Sequence, residues 1–276
     1  MRLILSALLG LEEEQLDSLA RTAKSRYRRY PIEGPSKVRW IEAPDPELKE
    51  VQRRLLDRLA YRLPTTEWAH GFVPERSIVT HARNHVGRPW VVAADIRDFF
   101  PSMSADRVAQ ALAPLELETD LPRAVALVTR AGRLPQGAPT SPHLANVIFG
   151  SVDHDLAKLG WSYSRYADDL TFSGDGDPRR LVDELRSVIA KHGFRLASHK
   201  TRIMGRHQRQ WVTGLVVNDR VSVPRNVRRT LRAALHRTRA PMGMELLGRI
   251  AFVRFVHAGF ADRECDAILR LGGPSS

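Results

Sequence analysis

Tyr166-Ala167-Asp168-Asp169 sits between Trp161-Ser162-Tyr163-Ser164-Arg165 and Leu170-Thr171-Phe172-Ser173, and its two adjacent carboxylates decide how the chain is read. The flanks alternate and are rich in aromatic and β-branched residues, which predicts strand, tight turn, strand, with both aspartates at a hairpin tip. Neighbouring side chains on extended backbone point to opposite faces, so Asp168 and Asp169 cannot hold one ion in the same way. One is the ligand and the other supports it. Taken alone, the pair also fits a solvated Asp-Asp turn.

Working outward, the 276 residues carry 43 Lys plus Arg against 31 Asp plus Glu, a net charge of +12. Such a balance favours a polyanionic partner, nucleic acid first, through counterion release and steering; a basic surface without a specific partner is the alternative. A hydrophobic content of 43% with 27% charged residues is that of a globular chain, not a disordered one. Cys265 is the single cysteine, which excludes an intramolecular disulfide and a cysteine-based zinc site and fits a reducing, cytoplasmic setting. Met1 to Gly10 is apolar but runs at once into Glu12, Glu13 and Glu14, so we expect a folded start and not a signal peptide. No apolar run approaches the roughly 18 residues that span a bilayer, and a soluble protein without a membrane partner is expected.

Leu11, Leu16, Leu19, Ala20 and Ala23 predict an amphipathic helix over 11–30 that ends in Lys24, Arg26, Arg28 and Arg29. A loop with Pro31, Gly34 and Pro35 leads to a short strand, Lys37–Ile41. Asp45-Pro46 then caps a helix whose Leu48, Val51, Leu55 and Leu59 share one face. Val91-Val92-Ala93-Ala94 reads as a buried central strand that delivers Asp95. Asp177-Pro178 opens another helix, closed at His192-Gly193. Strand, helix, hairpin and helix together predict an α+β fold with an antiparallel sheet. After Asn218 the chain reads as helical, with Val227, Leu231, Ala234 and Leu235 on one side and arginines on another.

Asp95 and Asp168 are 73 positions apart, each at the end of a predicted strand. Adjacent strands would bring them over one site, where two carboxylates repel unless cations neutralise them. Two magnesium ions held there would suit phosphoryl transfer. For Asp95 alone, a helix cap after the strand is the alternative.

From Arg39 to Asn218 the chain resembles, block by block, the bacterial reverse transcriptases. Val92–Ser102 is similar to their first catalytic motif, Leu134–Pro142 to the second, Tyr166–Asp169 to the Tyr-X-Asp-Asp signature, Gly193–Thr201 to a later palm motif and Trp211–Asn218 to the primer-grip hairpin. The resemblance implies a right-hand polymerase: fingers over 1–90, palm over 91–221 with finger helices inserted around 105–150, and a small helical thumb over 222–276. It implies that Asp95, Asp168 and Asp169 are catalytic, and that they hold two Mg2+ ions together with the carbonyl of Ile96. It further implies that Lys37, Arg39, Phe100, Gln136 and Lys200 bind the incoming dNTP, with Phe100 as the gate against a 2′-hydroxyl and Lys200 protonating the pyrophosphate. A core aromatic at Phe100, an ordinary Pro-Gly turn at Gln136 and a solvated basic strand at Lys37 and Arg39 are the structural alternatives.

Two blocks resemble the retron branch in particular. One is Val212-Thr213-Gly214; the other is an Asn-Ala-X-X-His box, matched at Ala82 and His85 but carrying His81 in place of asparagine. The resemblance implies RNA or primer contacts at His81, His85, Thr213 and Gly214. Arg225, Arg228, Arg229 and Arg232, in a stretch that continues to Arg237 and Arg239 before any acidic residue, would track the duplex backbone; a solvated helix face is the alternative. The implied partners are a cognate structured noncoding RNA, the RNA–DNA duplex made from it and an accessory effector protein, with short single-stranded DNA (msDNA) as product and antiphage defence as setting. A group II intron-like or other defence reverse transcriptase, and an RNA-binding scaffold for an effector, are the competing expectations.

Overall fold

A computed structural model describes residues 4–34, 38–237 and 244–257. Lys37, Arg239 and the segment 258–276 therefore lie outside the described residues. The elements run α1 Leu5–Leu9, α2 Glu13–Thr22, β1 Tyr27–Glu33, β2 Val38–Pro44, α3 Pro46–Arg62, α4 Ile78–Arg83, β3 Trp90–Asp95, α5 Ala105–Leu112, α6 Leu121–Val128 and α7 Ser141–Ala157. They continue through β4 Ser162–Tyr166, β5 Asp169–Gly174, α8 Pro178–Lys191, β6 Arg202–Gly205, β7 Trp211–Val212, β8 Leu215–Val216, α9 Arg225–Arg237 and α10 Met244–Val256.

The centre is a four-stranded antiparallel sheet in the order β4-β5-β3-β6. Val91 to Ala94 form its middle strand and read as one apolar run because both faces are covered. Val92 and Ala94 pack with Leu144, Phe149, Leu185 and Ile189 of α7 and α8, whereas Val91 packs on the opposite side with Val212, Leu215 and Val217. The alternation continues on β5, where Leu170 and Phe172 face the helices. Thr171 and Ser173 face the other way and are buried too.

Capping chemistry sets several boundaries. The Asp45 carboxylate accepts from the Leu48 amide at 2.9 Å to start α3, and Asp177 accepts from Arg179 at 2.9 Å to start α8. The expected helix over 11–30 is corrected: α2 stops at Thr22, a 3₁₀ turn spans Ala23–Ser25, and Tyr27–Glu33 is a strand paired antiparallel with β2. Pro31 cannot continue a helix, and Tyr27, Tyr30 and Ile32 favour extended backbone, so Arg28 and Arg29 ride on a ribbon instead of a helix end. The ribbon docks through β2, whose Glu42 amide donates to the Gln136 carbonyl at 2.8 Å. Gly137, at φ 132°, lies where a Cβ would meet the Ile41 side chain at 2.7 Å, so the loop fits the strand only as glycine.

Candidate active site

Register places the carboxylates. Asp169 is the direct cross-strand partner of Asp95, so the two share one face of the sheet. Asp168 occupies the turn, and its carbonyl accepts from the Ile96 amide at 3.1 Å, which brings the Ile96 peptide to the same place. All three aspartates and Ile96 are thus gathered at one end of β3 and β5.

The electrostatics of the cluster follow from that crowding. Burial, then the neighbouring Asp95, raises the Asp168 carboxyl above its usual range. Partial desolvation by the surrounding protein, then Asp168 and Asp95, pushes the exposed Asp169 up to about 6, while Lys200 and Arg39 pull in the other direction. The Lys200 ammonium donates to Asp95 Oδ2 at 2.7 Å. The donor set is all oxygen, which suits a hard divalent cation that keeps waters and substrate phosphates. Among the described residues no group of three or more His, Cys, Asp or Glu side chains is arranged to hold a metal ion by itself. An open, crowded carboxylate group with a cation drawn onto it fits a site completed by substrate.

A pH dependence follows. The folded pKa of Asp169 lies above the unfolded value of about 3.9, so folding favours its protonated form. That contribution to stability is fully present below about pH 3.9 and is lost as pH rises through about 6. In magnesium-free buffer, Asp169→Asn is expected to melt higher than the parent at pH 7.5 and to lose that advantage by pH 4. Equal differences at both pH values would contradict the assignment.

Of the nucleotide candidates, Lys200 and Arg39 reach this cluster. Arg39 is exposed on β2 and close enough to act on both aspartates. Phe100 is half-buried, its ring 5.5 Å from Phe99 and 6.4 Å from Phe72. Gln136 is half-buried in the loop that precedes α7. Thr213 and Gly214 form the left-handed turn between β7 and β8, at φ 45° and 83°. On α9, Leu231 and Leu235 are buried while Arg225, Arg229 and Arg232 are exposed and Arg228 is half-buried.

Two expectations change. His81 and His85 are each 0% exposed, bonded to Ser164, Thr171 and Ser173 of the β4–β5 hairpin, so direct RNA contact by either ring is corrected. Both rings stay neutral, since burial holds their pKa far below the usual histidine range.

Sequence reasoning also missed a buried network beneath the turn. Arg165 bonds Asp153 at 2.8 and 3.0 Å, the Asn146 side chain at 2.6 Å and the Ala167 carbonyl at 3.4 Å. Tyr163 and Thr66 add bonds to Asp153 at 2.7 and 2.6 Å. Ala167 has a left-handed φ of 57°, unusual for alanine, and the network holds it. Asn146 also donates to the Gly71 carbonyl at 2.9 Å, and a Cβ on Gly71 would strike the Ala167 amide at 2.6 Å. Alternation around Tyr163 was the available signal, because it puts the charge of Arg165 on the inward face.

Residues 24–217 match the reverse transcriptase (RNA-dependent DNA polymerase) family. The retron Mx65 reverse transcriptase of Myxococcus xanthus is 39% identical over 258 residues, covering 82% of this chain and 60% of the relative. The retron Mx162 enzyme of the same organism is 40% identical, covering 78% and 54%, and the retron Ec86 enzyme of Escherichia coli is 35% identical, covering 81% and 73%. The chain thus spans between half and two thirds of the length of the two Myxococcus relatives. Among solved structures, a foamy viral protease–reverse transcriptase in complex with double-stranded DNA superposes with a TM-score of 0.54 at 14% identity, over 89% of this chain and 38% of that one. Telomerase from Candida albicans superposes at 0.51 and 9% identity, over 88% and 56%. These likenesses define a right-hand polymerase fold. The chain belongs to the reverse transcriptase family, in its bacterial retron-type branch.

Proposed function

We propose that the protein is an RNA-directed DNA polymerase of the retron type, which copies a cognate structured noncoding RNA into short single-stranded DNA. The cross-strand pairing of Asp95 with Asp169, with Asp168 in the adjoining turn, carries this reading. Asp95, Asp168, Asp169 and the Ile96 carbonyl would hold two Mg2+ ions. When bound, such a pair activates the attacking hydroxyl and stabilises the departing pyrophosphate oxygen.

The remaining steps belong to the chain. Arg39, with Lys37, offers forked and point charges to a triphosphate. Phe100 lies under the sugar and excludes a 2′-hydroxyl, and Gln136 bonds near it. Lys200, whose ammonium donates to Asp95 Oδ2, would give its Nζ proton to the departing pyrophosphate. The Thr213-Gly214 turn supports the primer end, and Arg225, Arg228, Arg229 and Arg232 follow the duplex backbone. In this reading 1–90 form the fingers, 91–221 the palm and 222–276 the thumb, and the enzyme works in the cytoplasm, with an accessory effector, in antiphage defence.

Isolating the protein with its native nucleic acid tests the proposal. RNA and DNA covalently joined in one molecule is the expected result. RNA alone, with no magnesium-dependent extension by the purified protein, would replace it with an RNA-binding scaffold.

A further inference from the structure

α4 is only six residues long, yet it lies against two hairpins at once. Its histidine side faces the catalytic hairpin through an unbroken chain of hydrogen bonds. Thr171 Oγ1 meets His81 Nε2 at 3.2 Å, His81 Nδ1 meets Ser164 Oγ at 2.8 Å, Ser164 Oγ meets His85 Nε2 at 2.8 Å, and His85 Nδ1 meets Ser173 Oγ at 2.8 Å. A neutral imidazole gives one hydrogen bond and accepts one, and a hydroxyl gives one, so a chain running in one direction satisfies every link. Ser164, Thr171 and Ser173 are buried polar groups on the sheet face that also carries Val91 and Met204, and these histidines supply their partners.

The opposite side of α4 is apolar. Val79 and Ala82 pack in one cluster with Val212, Leu215 and Val217 of the β7–β8 hairpin. The Gly87 amide donates to the Val217 carbonyl at 3.1 Å, and Gln210 Nε2 donates to the Arg88 carbonyl at 2.9 Å. A third histidine fastens the helix start. Asn84 donates to His70 Nε2 at 3.1 Å, which leaves His70 Nδ1 to donate to Thr80 Oγ1 at 2.8 Å within the α4 capping box. The segment 77–89 is therefore tied at both ends and on both sides.

The two blocks singled out in the sequence, the His81–His85 box and Val212-Thr213-Gly214, thus meet across one helix. Thr171 lies two positions from Asp169 on the same face of the same strand, and Asp169 opposes Asp95. We propose that His81 and His85 are positioning residues, which lock the hairpin carrying Asp168 and Asp169 in fixed register to the β7–β8 hairpin through α4. The aligned geometry of primer end and carboxylates would then depend on groups that touch neither RNA nor nucleotide. This inference rests on the polymerase reading for its kinetic consequence, but not for the coupling itself.

Ser173→Ala and His85→Gln in the full chain test it, the first removing one hydroxyl without opening a large cavity. Amide hydrogen exchange is followed over Leu170–Phe172 and Trp211–Leu215, alongside single-turnover extension of a primed RNA at saturating dNTP. The expected result is exchange faster by about tenfold in both hairpins together, the equilibrium effect of one net hydrogen bond. The extension rate constant should fall by about ten- to a hundredfold, as sub-ångström to 1 Å misplacement does, with reaction amplitude and RNA affinity kept. The double variant should be no worse than the more severe single one. Exchange changes confined to one hairpin would overturn the coupling. So would a rate constant that holds while amplitude falls, which marks a purely structural role, or while RNA affinity falls, which marks a direct contact. A parent protein that extends no primer would defeat the polymerase reading, and the exchange measurement would still decide the coupling.

Discussion

Asp168→Ala is expected to lower magnesium-dependent extension of a primed RNA by about 10³-fold or more, because metal-borne charge stabilisation contributes several kcal/mol and each 1.36 kcal/mol is tenfold. The side chain sits in a turn whose carbonyl ties to Ile96, so removing the carboxylate leaves β3 and β5 paired. Burial and Asp95 both hold the Asp168 carboxyl above its usual pKa, so its loss relieves repulsion, and the variant should melt no lower than the parent in magnesium-free buffer. RNA affinity should persist, since the arginines of α9 lie on a different element. Stability retained with activity gone separates chemistry from folding. Unchanged extension would eliminate Asp168 as a ligand.

The second large effect concerns folding. Asp153→Ala is expected to cost about 3–5 kcal/mol of stability, because it leaves the Arg165 guanidinium buried without its counter-charge. Both partners are 0% exposed, so water does not replace the lost carboxylate. Tyr163 and Thr66 lose their acceptor in the same step. The urea midpoint reads the cost directly. A loss under about 1 kcal/mol would place the pair in the class of exposed ion pairs and contradict the burial. Extension should fall as well, since Arg165 supports Ala167 and through it the two aspartates.

How much of this was legible in the sequence follows from which signals are local. The hairpin at Tyr166–Asp169 and the strand ending at Asp95 announce themselves, because strong β-formers bracket a turn and an apolar run needs cover on both faces. Asp45 and Asp177 mark helix starts because a cap depends on the next three residues only. Tyr27–Glu33 was misread because a basic run can close a helix or line a ribbon, and only the pairing with β2 decides. Asp153 and Arg165 are twelve positions apart on different elements, so nothing nearby shows that they meet. His81 and His85 look like surface contacts until Ser164, Thr171 and Ser173 are seen on the facing strands. Their hydrogen-bond partners lie 79 to 90 positions away.

The most direct test is anomalous scattering from Mn2+ in crystals of the protein with primed RNA and a non-hydrolysable dNTP. The account predicts two peaks about 4 Å apart, in contact with Asp95 and the Asp168–Asp169 turn. Density for primer and nucleotide with no peak at these carboxylates would contradict it.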